Sequence, residues 1–216
     1  MKRTRFSARA VLFDWDGTLV NSYSADSRAY LTMFESLGIE WSLEELARHY
    51  SPNWYRVYHA ARLPRAKWKE ADRVWTRAYK RENPRLITGA KQVIRALRRD
   101  FVLGIVTSGN RPRVRKQLRQ FDLANYFSTC ICCEDAPKRK PHPAPLNLAL
   151  KEIGFAPEEC LYVGDTAEDI EMSRRAGVRP IGVLGPFPTA DRVRAAKPDA
   201  ILDSIKDLPQ YLEALK

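Results

Sequence analysis

Short runs of β-branched and other apolar residues alternate with helical patterns along most of this chain of 216 residues. Such alternation is typical of a parallel sheet whose two faces are covered by the connecting helices. We therefore predict an α/β fold with a doubly wound, Rossmann-like parallel sheet. The predicted strands lie near residues 10–13, 102–106, 129–133, 161–163, 180–183 and 200–202. The predicted helices lie near residues 90–99, 112–121, 143–153, 167–176 and 206–215.

One interval does not alternate. From about Ser22 to Leu86 the sequence has amphipathic helical patterns and no convincing strand. The simplest interpretation is a helical subdomain inserted after the first strand. We expect residues 1–21 and 87–216 to form the α/β core and residues 22–86 to form an all-helical cap. Four of the five tryptophans fall in this interval, and we expect most of them to form its core.

The composition limits the possible partners. The chain carries a formal charge of +11, but its Lys and Arg residues are spread along the sequence with acidic residues between them. This distribution is more typical of solvated helix surfaces than of a nucleic-acid-binding stripe. No apolar run reaches the roughly 20 residues of a membrane span, and Asp14 interrupts the first run before a signal-peptide core forms. We therefore expect a cytoplasmic protein whose four cysteines are core residues.

Polar residues follow several of the predicted strands at the point where each strand ends. In open α/β sheets, ligands bind in the crevice beyond the carboxyl ends of the strands. The sequence therefore predicts one site at this edge of the sheet. Its candidates are Asp14 and Asp16 after the first strand, Thr107, Ser108, Gly109 and Asn110 after the second, Lys138, Arg139 and Lys140 in the loop after the third, and Asp165 and Asp169 after the fourth.

Several carboxylates at one edge of a sheet would repel one another unless a cation lay among them. Mg²⁺ is typically held by one or two carboxylates together with water and phosphate oxygens, and Asp14 and Asp165 supply that number. The lack of nearby His or Cys in these segments disfavours zinc. Helix capping is the alternative role for such acids, and it explains Asp169 better than Asp14 or Asp16. We therefore predict Mg²⁺ as the cofactor.

Asp14 and Asp16 are two residues apart, and Gly17 allows a tight turn after them. A metal-bound carboxylate can attack phosphorus and form an aspartyl-phosphate. A second carboxylate can protonate the leaving oxygen and later activate water. The transferring phosphoryl group also needs its oxygens neutralised, and Thr107, the amides near Ser108 and Lys140 are placed to do so.

With these motifs the chain resembles the haloacid dehalogenase (HAD) superfamily, in the subfamily with a helical cap after the first strand. The motifs, in the family's order, are DWDGTLVNS (14–22), VTSGN (106–110), KPHP (140–143) and GDTAED (164–169). The resemblance implies that Asp14 is the nucleophile and that Asp16 is the general acid/base, whose backbone carbonyl also binds the metal. It implies that Thr107 and Lys140 bind the phosphoryl group. It also implies that Asp165 binds the metal directly and that Asp169 lies behind it.

The function implied is a Mg²⁺-dependent phosphatase that hydrolyses a small phosphate monoester, and the whole pattern is most similar to phosphoglycolate phosphatase-like enzymes. Sugar phosphates, nucleotides and pyrophosphate remain open as substrates. Phosphoryl transfer of the β-phosphoglucomutase type uses the same residues and stays an alternative. A further alternative is a non-catalytic or nucleic-acid-binding protein with this fold. Asp16 argues against dehalogenation, since the family's dehalogenases lack that aspartate. In the cap, we expect Asn53, Trp54, Tyr55 and Arg56 to contact the substrate.

Overall fold

The structure is a computed structural model that describes residues 8–215. Residues 1–7 and 216, which belong to the predicted core, lie outside the described residues. The strands are β1 (Ala10–Phe13), β2 (Val20–Asn21), β3 (Arg85–Leu86), β4 (Val102–Val106), β5 (Thr129–Ile131), β6 (Cys160–Gly164), β7 (Arg179–Val183) and β8 (Ala200–Leu202). The helices are α1 (Tyr23–Ser36), α2 (Leu43–His49), α3 (Trp54–Ala60), α4 (Trp68–Tyr79), α5 (Ala90–Leu97), α6 (Arg111–Gln120), α7 (Ala144–Ile153), α8 (Ala167–Arg175), α9 (Ala190–Ala195) and α10 (Leu208–Ala214).

Six of the strands form one parallel sheet in the order β5-β4-β1-β6-β7-β8. β1 lies near the middle, and all four of its residues are buried. Successive side chains of a strand point to opposite faces. Accordingly, Val11 and Phe13 join one apolar cluster, whereas Ala10 and Leu12 join a second. Both faces of the sheet are therefore covered, and the prediction of a doubly wound α/β fold is confirmed.

β5 is shorter than the sequence predicted. The apolar run continues to Cys133, but the strand ends at Ile131. The amide of Cys132 donates instead to the Asp135 carboxylate at 2.7 Å, and the amide of Cys133 donates to the carbonyl of Gly109 at 3.1 Å. These two amides bond to loops, so the strand cannot continue through them.

The interval from Ser22 to Leu86 does contain a strand, which the sequence pattern did not reveal. β3 pairs antiparallel with β2, and each strand has two residues. Such short strands give no periodic signal, because alternation needs about four residues or more to be recognised. The two-stranded ribbon joins the sheet to both ends of the segment that contains α1 to α4. We call that segment the helical insertion. The short helix α9 also has no counterpart in the sequence prediction.

The helical insertion has an apolar cluster of its own. Its fully buried members include Met33 and Phe34 from α1, Leu46 from α2 and Val57 from α3. The tryptophans Trp41, Trp54, Trp68 and Trp75 pack around this cluster, as their concentration in the sequence predicted. Among the described helices, none has the length and apolar character that crossing a bilayer requires.

Candidate active site

Three strands of the sheet deliver side chains to one crevice. Asp14 follows β1, Thr107 follows β4 and Asp165 follows β6, and all three residues are buried. The amide of Asp14 donates to the carbonyl of Val163 at 2.9 Å, and the amide of Thr107 donates to the carbonyl of Ile131 at 2.9 Å. Strand pairing therefore continues one residue past β1 and β4 and fixes the backbone that carries these side chains.

The chain turns sharply after β1. Gly17 has a φ of 85°, and its amide donates to the carbonyl of Val20 at 2.8 Å. A Cβ atom at position 17 would lie 2.6 Å from Cγ of Asp165, well inside contact distance. Only glycine combines this backbone conformation with the space that the Asp165 carboxylate needs.

Asp14, Asp165 and Asp169 form a buried acidic cluster, with one oxygen of each carboxylate within 4.8 Å of the others. Asp165 Oδ1 accepts a hydrogen bond from Thr18 Oγ1 at 3.1 Å, whereas the buried Asp165 Oδ2 has no partner among the described residues. Burial raises the pKa of Asp14 to about 7. Burial, followed by the charges of Asp14 and Asp169, raises the pKa of Asp165 well above its usual value. The cluster offers only oxygen ligands, which fits a hard divalent cation such as Mg²⁺.

Lys140 lies against this cluster. Its ammonium group donates to Asp14 Oδ1, to Asp169 Oδ1 and to the Tyr162 hydroxyl, each at 2.7 Å. The Tyr162 hydroxyl donates in turn to the carbonyl of Val106 at 2.7 Å. Burial would lower the pKa of Lys140, but the two carboxylates outweigh it and raise that pKa. Lys140 is therefore held in its charged form, and each of its three ammonium protons has a hydrogen-bond acceptor.

Asp169 has a second set of contacts at the start of α8. Its Oδ2 accepts hydrogen bonds from the Thr166 amide at 3.1 Å and the Thr166 hydroxyl at 2.6 Å. Thr166 accepts from the Asp169 amide, which completes a capping box. Asp169 therefore caps α8 and orients Lys140 at the same time. Both carboxylate oxygens of Asp169 are occupied by donors of the protein itself.

Asp16 points to a different partner. Its two oxygens accept hydrogen bonds from Nη1 and Nη2 of Arg113, at 2.8 and 2.6 Å. Burial would raise the pKa of Asp16, but the guanidinium outweighs it and holds that pKa below its usual value. Arg113 lies in the first turn of α6 and was not among the residues that the sequence singled out. The sequence shows only an arginine three residues after the Asn110 cap, and that position does not indicate that its side chain reaches Asp16.

The loop after β4 supplies polar groups to the same crevice. Thr107 Oγ1 accepts a hydrogen bond from the Gly109 amide at 2.9 Å, so its hydroxyl proton remains available for a ligand. Asn110 caps α6 by accepting from the Arg113 amide at 3.0 Å. Thr107, Ser108, Gly109 and Asn110 all line one cavity with Asp14.

This cavity has a volume of about 230 Å³ and lies between the sheet edge and the helical insertion. Of the cap residues that we expected to contact substrate, Trp54 lines this cavity, whereas Tyr55 and Arg56 are not among its lining residues. Tyr55 stacks on Trp68 with ring centroids 4.5 Å apart, and Arg56 pairs with Glu168 at 3.3 Å. Asn53 likewise does not line the cavity. The insertion contributes residues that the sequence did not indicate, among them Asp26, Tyr50 and Asp72.

The fold and the site define an α/β enzyme with a buried acidic centre at the carboxyl edge of its sheet. Residues 11–183 match the family described as haloacid dehalogenase-like hydrolase, and the chain belongs to this family. It is therefore a hydrolase of the HAD type, as the motifs predicted.

The chain is similar to several known proteins. Pyrophosphatase PpaX from Oceanobacillus iheyensis is 30% identical over 209 residues, which cover 94% of this chain and 95% of the relative. Phosphoglycolate phosphatase from Salmonella paratyphi A is 38% identical over 106 residues, which cover 49% of this chain and 42% of the relative. A solved structure, a predicted phosphoglycolate phosphatase from Haemophilus somnus, has a TM-score of 0.84 at 24% identity over 94% of this chain and 97% of that one. This last likeness supports the fold alone.

Proposed function

We propose that the protein is a Mg²⁺-dependent phosphatase, which hydrolyses a small phosphate monoester through an aspartyl-phosphate formed on Asp14. The observation that carries the proposal is the buried ion pair of Asp14 and Lys140 beside the unpartnered oxygen of Asp165. A nucleophile, a cation for the phosphoryl oxygens and a ligand for a metal therefore lie at one edge of the sheet. The names of the relatives, a pyrophosphatase and phosphoglycolate phosphatases, support chemistry at phosphorus.

Asp14 and Asp165 would hold Mg²⁺ through their carboxylates, and the backbone carbonyl of Asp16 would add an oxygen ligand. Asp169 would support the site from behind, because its oxygens are engaged with Lys140 and Thr166. When bound, Mg²⁺ neutralises charge on the phosphoryl oxygens and removes the repulsion among the carboxylates.

In the first step, a carboxylate oxygen of Asp14 attacks phosphorus, and the bond from phosphorus to the leaving oxygen breaks. Asp16 gives a proton to that oxygen, so the product leaves as an alcohol. Lys140, the Thr107 hydroxyl and the amides of the loop after β4 stabilise charge on the phosphoryl oxygens. The low pKa of Asp16 requires that it take up a proton, and loosen its contact with Arg113, before this step.

In the second step, Asp16 acts as a base. It takes a proton from water, whose oxygen attacks phosphorus and displaces the Asp14 carboxylate. Phosphate leaves, and Asp16 releases its proton to solvent as it pairs with Arg113 again. A carboxylate that Arg113 keeps ionised in the free enzyme is suited to this step, because the group must then accept a proton.

We further propose that residues 22–86 act as a cap that closes over the substrate, with the two-stranded ribbon as the connection to residues 1–21 and 87–216. The supporting observations are two contacts across the crevice. Ser51 Oγ donates to Glu168 Oε1 at 2.8 Å, and Arg192 donates to the carbonyl of Tyr50 at 2.7 Å. Closure would exclude bulk water during attack and favour a defined line of approach.

Phosphate release from a panel of phosphate monoesters tests the proposal, measured with Mg²⁺ and with a chelator. We expect release that requires Mg²⁺ and that is absent in the Asp14→Asn variant. Transfer of the phosphoryl group to a second sugar phosphate, without release of phosphate, would instead identify a phosphotransferase. Neither release nor transfer from any member of the panel would contradict the proposed chemistry.

A further inference from the structure

The cavity beside Asp14 has a second half, which the proposed chemical steps do not use. The core supplies the half near the nucleophile, and the helical insertion supplies the other. Five aromatic side chains of the insertion line the cavity: Tyr30, Tyr50, Trp54, Tyr58 and Trp75. Two carboxylates accompany them, Asp26 from α1 and Asp72 from α4. The leaving group of a phosphate ester bound at Asp14 would lie among these residues.

The charges in this second half are unbalanced. Arg113 is the one basic side chain among the described residues that line the cavity, and it is paired with Asp16. Asp72 accepts a hydrogen bond from the Tyr58 hydroxyl at 2.9 Å and is attracted by Arg139, which lies outside the lining. Asp26 is half-buried, and no described residue donates a hydrogen bond to its side chain. Asp26 is thus the carboxylate with the least compensation.

The surroundings of Asp26 penalise its charge. Burial, followed by the charge of Asp16, raises the pKa of Asp26 to about 8, although Arg113 opposes the shift. An anion bound nearby would raise this penalty further, whereas a cation would relieve it and hold Asp26 ionised. The aromatic rings add to the same preference, because the faces of tryptophan and tyrosine attract ammonium groups.

The size of the cavity restricts the ligand. Its volume of about 230 Å³ lies below the roughly 300–1,000 Å³ that is usual for pockets of drug-sized ligands. The leaving group is therefore small, and its charged group cannot move far from Asp26.

We propose that the leaving group of the substrate carries a positive charge, as in the phosphate ester of a small amino alcohol, with the Asp26 carboxylate as its counter-ion. This inference rests on the proposed phosphatase function and specifies the substrate class of the same site. It disfavours substrates whose leaving group is an anion, such as phosphoglycolate or pyrophosphate, because their second charge would face Asp26 and Asp72.

The test compares kcat/KM for phosphate release with Mg²⁺ from four matched compounds. Phosphoethanolamine has a cationic leaving group, glycerol phosphate a neutral one, and phosphoglycolate and pyrophosphate anionic ones. We expect the wild-type protein to favour phosphoethanolamine over phosphoglycolate by at least about tenfold. The Asp26→Asn variant should lose at least about tenfold on phosphoethanolamine and less than about threefold on glycerol phosphate. The Asp100→Asn variant makes the same change at an exposed position near the opposite end of the sheet and should match the wild type.

The outcomes separate the two proposals. Mg²⁺-dependent release that is fastest from phosphoglycolate or pyrophosphate would retain the phosphatase function and overturn the cationic leaving group. An Asp26→Asn variant that loses equally on all four compounds would overturn the counter-ion role. No release from any compound would contradict the phosphatase function itself and this inference with it. If thermal unfolding shows that Asp26→Asn does not fold, the wild-type ranking of the four compounds decides.

Discussion

The guanidinium of Arg113 donates hydrogen bonds to both carboxylate oxygens of Asp16, at 2.8 and 2.6 Å. The two residues are 97 positions apart in the chain, and both side chains are largely buried. The ring of Tyr79 lies 5.0 Å from the guanidinium carbon and limits its movement. A bidentate pair of this kind holds the carboxylate ionised and fixes its orientation. The proposed acid/base is thus kept in its basic form until substrate or the cap changes its surroundings.

Replacing Arg113 by Gln should therefore change the pH dependence of the reaction. Without the guanidinium, the pKa of Asp16 rises, since the largest influence that opposes burial is removed. The acidic limb of the kcat profile should move to higher pH, because Asp16 must be ionised to activate water. Phosphate release between pH 4 and pH 9 measures this. Arg115→Gln, an exposed position on the same helix, is the matched control and should leave the limb unchanged. An unmoved limb in Arg113→Gln would argue against Asp16 as the base.

Asp14→Asn should lower phosphate release by about 10⁴-fold or more, because an amide cannot serve as the nucleophile. The fold should be retained, since Lys140 keeps its contacts with Asp169 and Tyr162. The measurement is phosphate release under saturating substrate, together with thermal unfolding of the same sample. Release within about tenfold of the wild type, from a folded variant, would exclude Asp14 as the nucleophile.

The sequence could predict where Asp14, Thr107 and Asp165 meet, because short apolar runs indicate strands and parallel strands end at one edge. It could not predict the partner of Asp16. Whether Arg113 reaches Asp16 depends on how α6 packs against the turn after β1, and no local pattern encodes that distance.

The acids of the insertion were missed for a different reason. Amphipathic periodicity indicates which face of a helix is buried, but it does not indicate which buried polar residues face a cavity. Asp26 lies on α1 and Asp72 on α4, and both read as ordinary polar positions of amphipathic helices. The expectation for Tyr55 and Arg56 came from their position near a proline break, which does not determine the direction of a side chain.

Asp165→Asn should stabilise the metal-free protein and remove its response to Mg²⁺. Asp165 adds a buried charge beside Asp14 and Asp169, so its neutral isostere relieves repulsion. For a chain of this size, each kcal/mol gained corresponds to about 2–4 °C in Tm. Thermal unfolding with a chelator and then with Mg²⁺ measures both effects. A variant that is less stable than the wild type without metal would contradict the repulsion, and one that still gains Tm with Mg²⁺ would exclude Asp165 as a ligand.

The stability of the metal-free protein should fall as pH rises from about 4 to about 7. Asp14 has a folded-state pKa of about 7, above the unfolded value of about 3.9, so the folded protein binds the extra proton in this window. As pH rises through this window, the folded protein loses that proton and the free energy of unfolding falls. Mg²⁺ replaces the proton and should raise Tm more at pH 8 than at pH 5. Denaturant unfolding at both pH values, with and without Mg²⁺, checks the sign. A larger effect of Mg²⁺ at pH 5 would contradict it.

Gly17→Ala should disable the site, whereas the similar change Gly38→Ala should not. Both glycines have positive φ, 85° and 71°, so alanine incurs a comparable backbone strain at each, about 1–3 kcal/mol. Their surroundings differ: a Cβ at position 38 meets nothing within 4 Å, whereas a Cβ at position 17 meets the Asp165 carboxylate. Displacing that carboxylate by about 1 Å should cost roughly 100-fold in kcat/KM.

Thermal unfolding and phosphate release of the two glycine variants separate strain from collision. We expect metal-free Gly17→Ala to lose more Tm than Gly38→Ala, because both carry the backbone strain but only Gly17→Ala adds a collision with the buried Asp165 carboxylate. Only Gly17→Ala should also lose the gain of Tm with Mg²⁺ and most of its activity. If Gly17→Ala keeps its gain of Tm with Mg²⁺, displacement of the Asp165 carboxylate does not prevent metal binding. The close approach of the turn to Asp165 would then not be what positions the metal ligand.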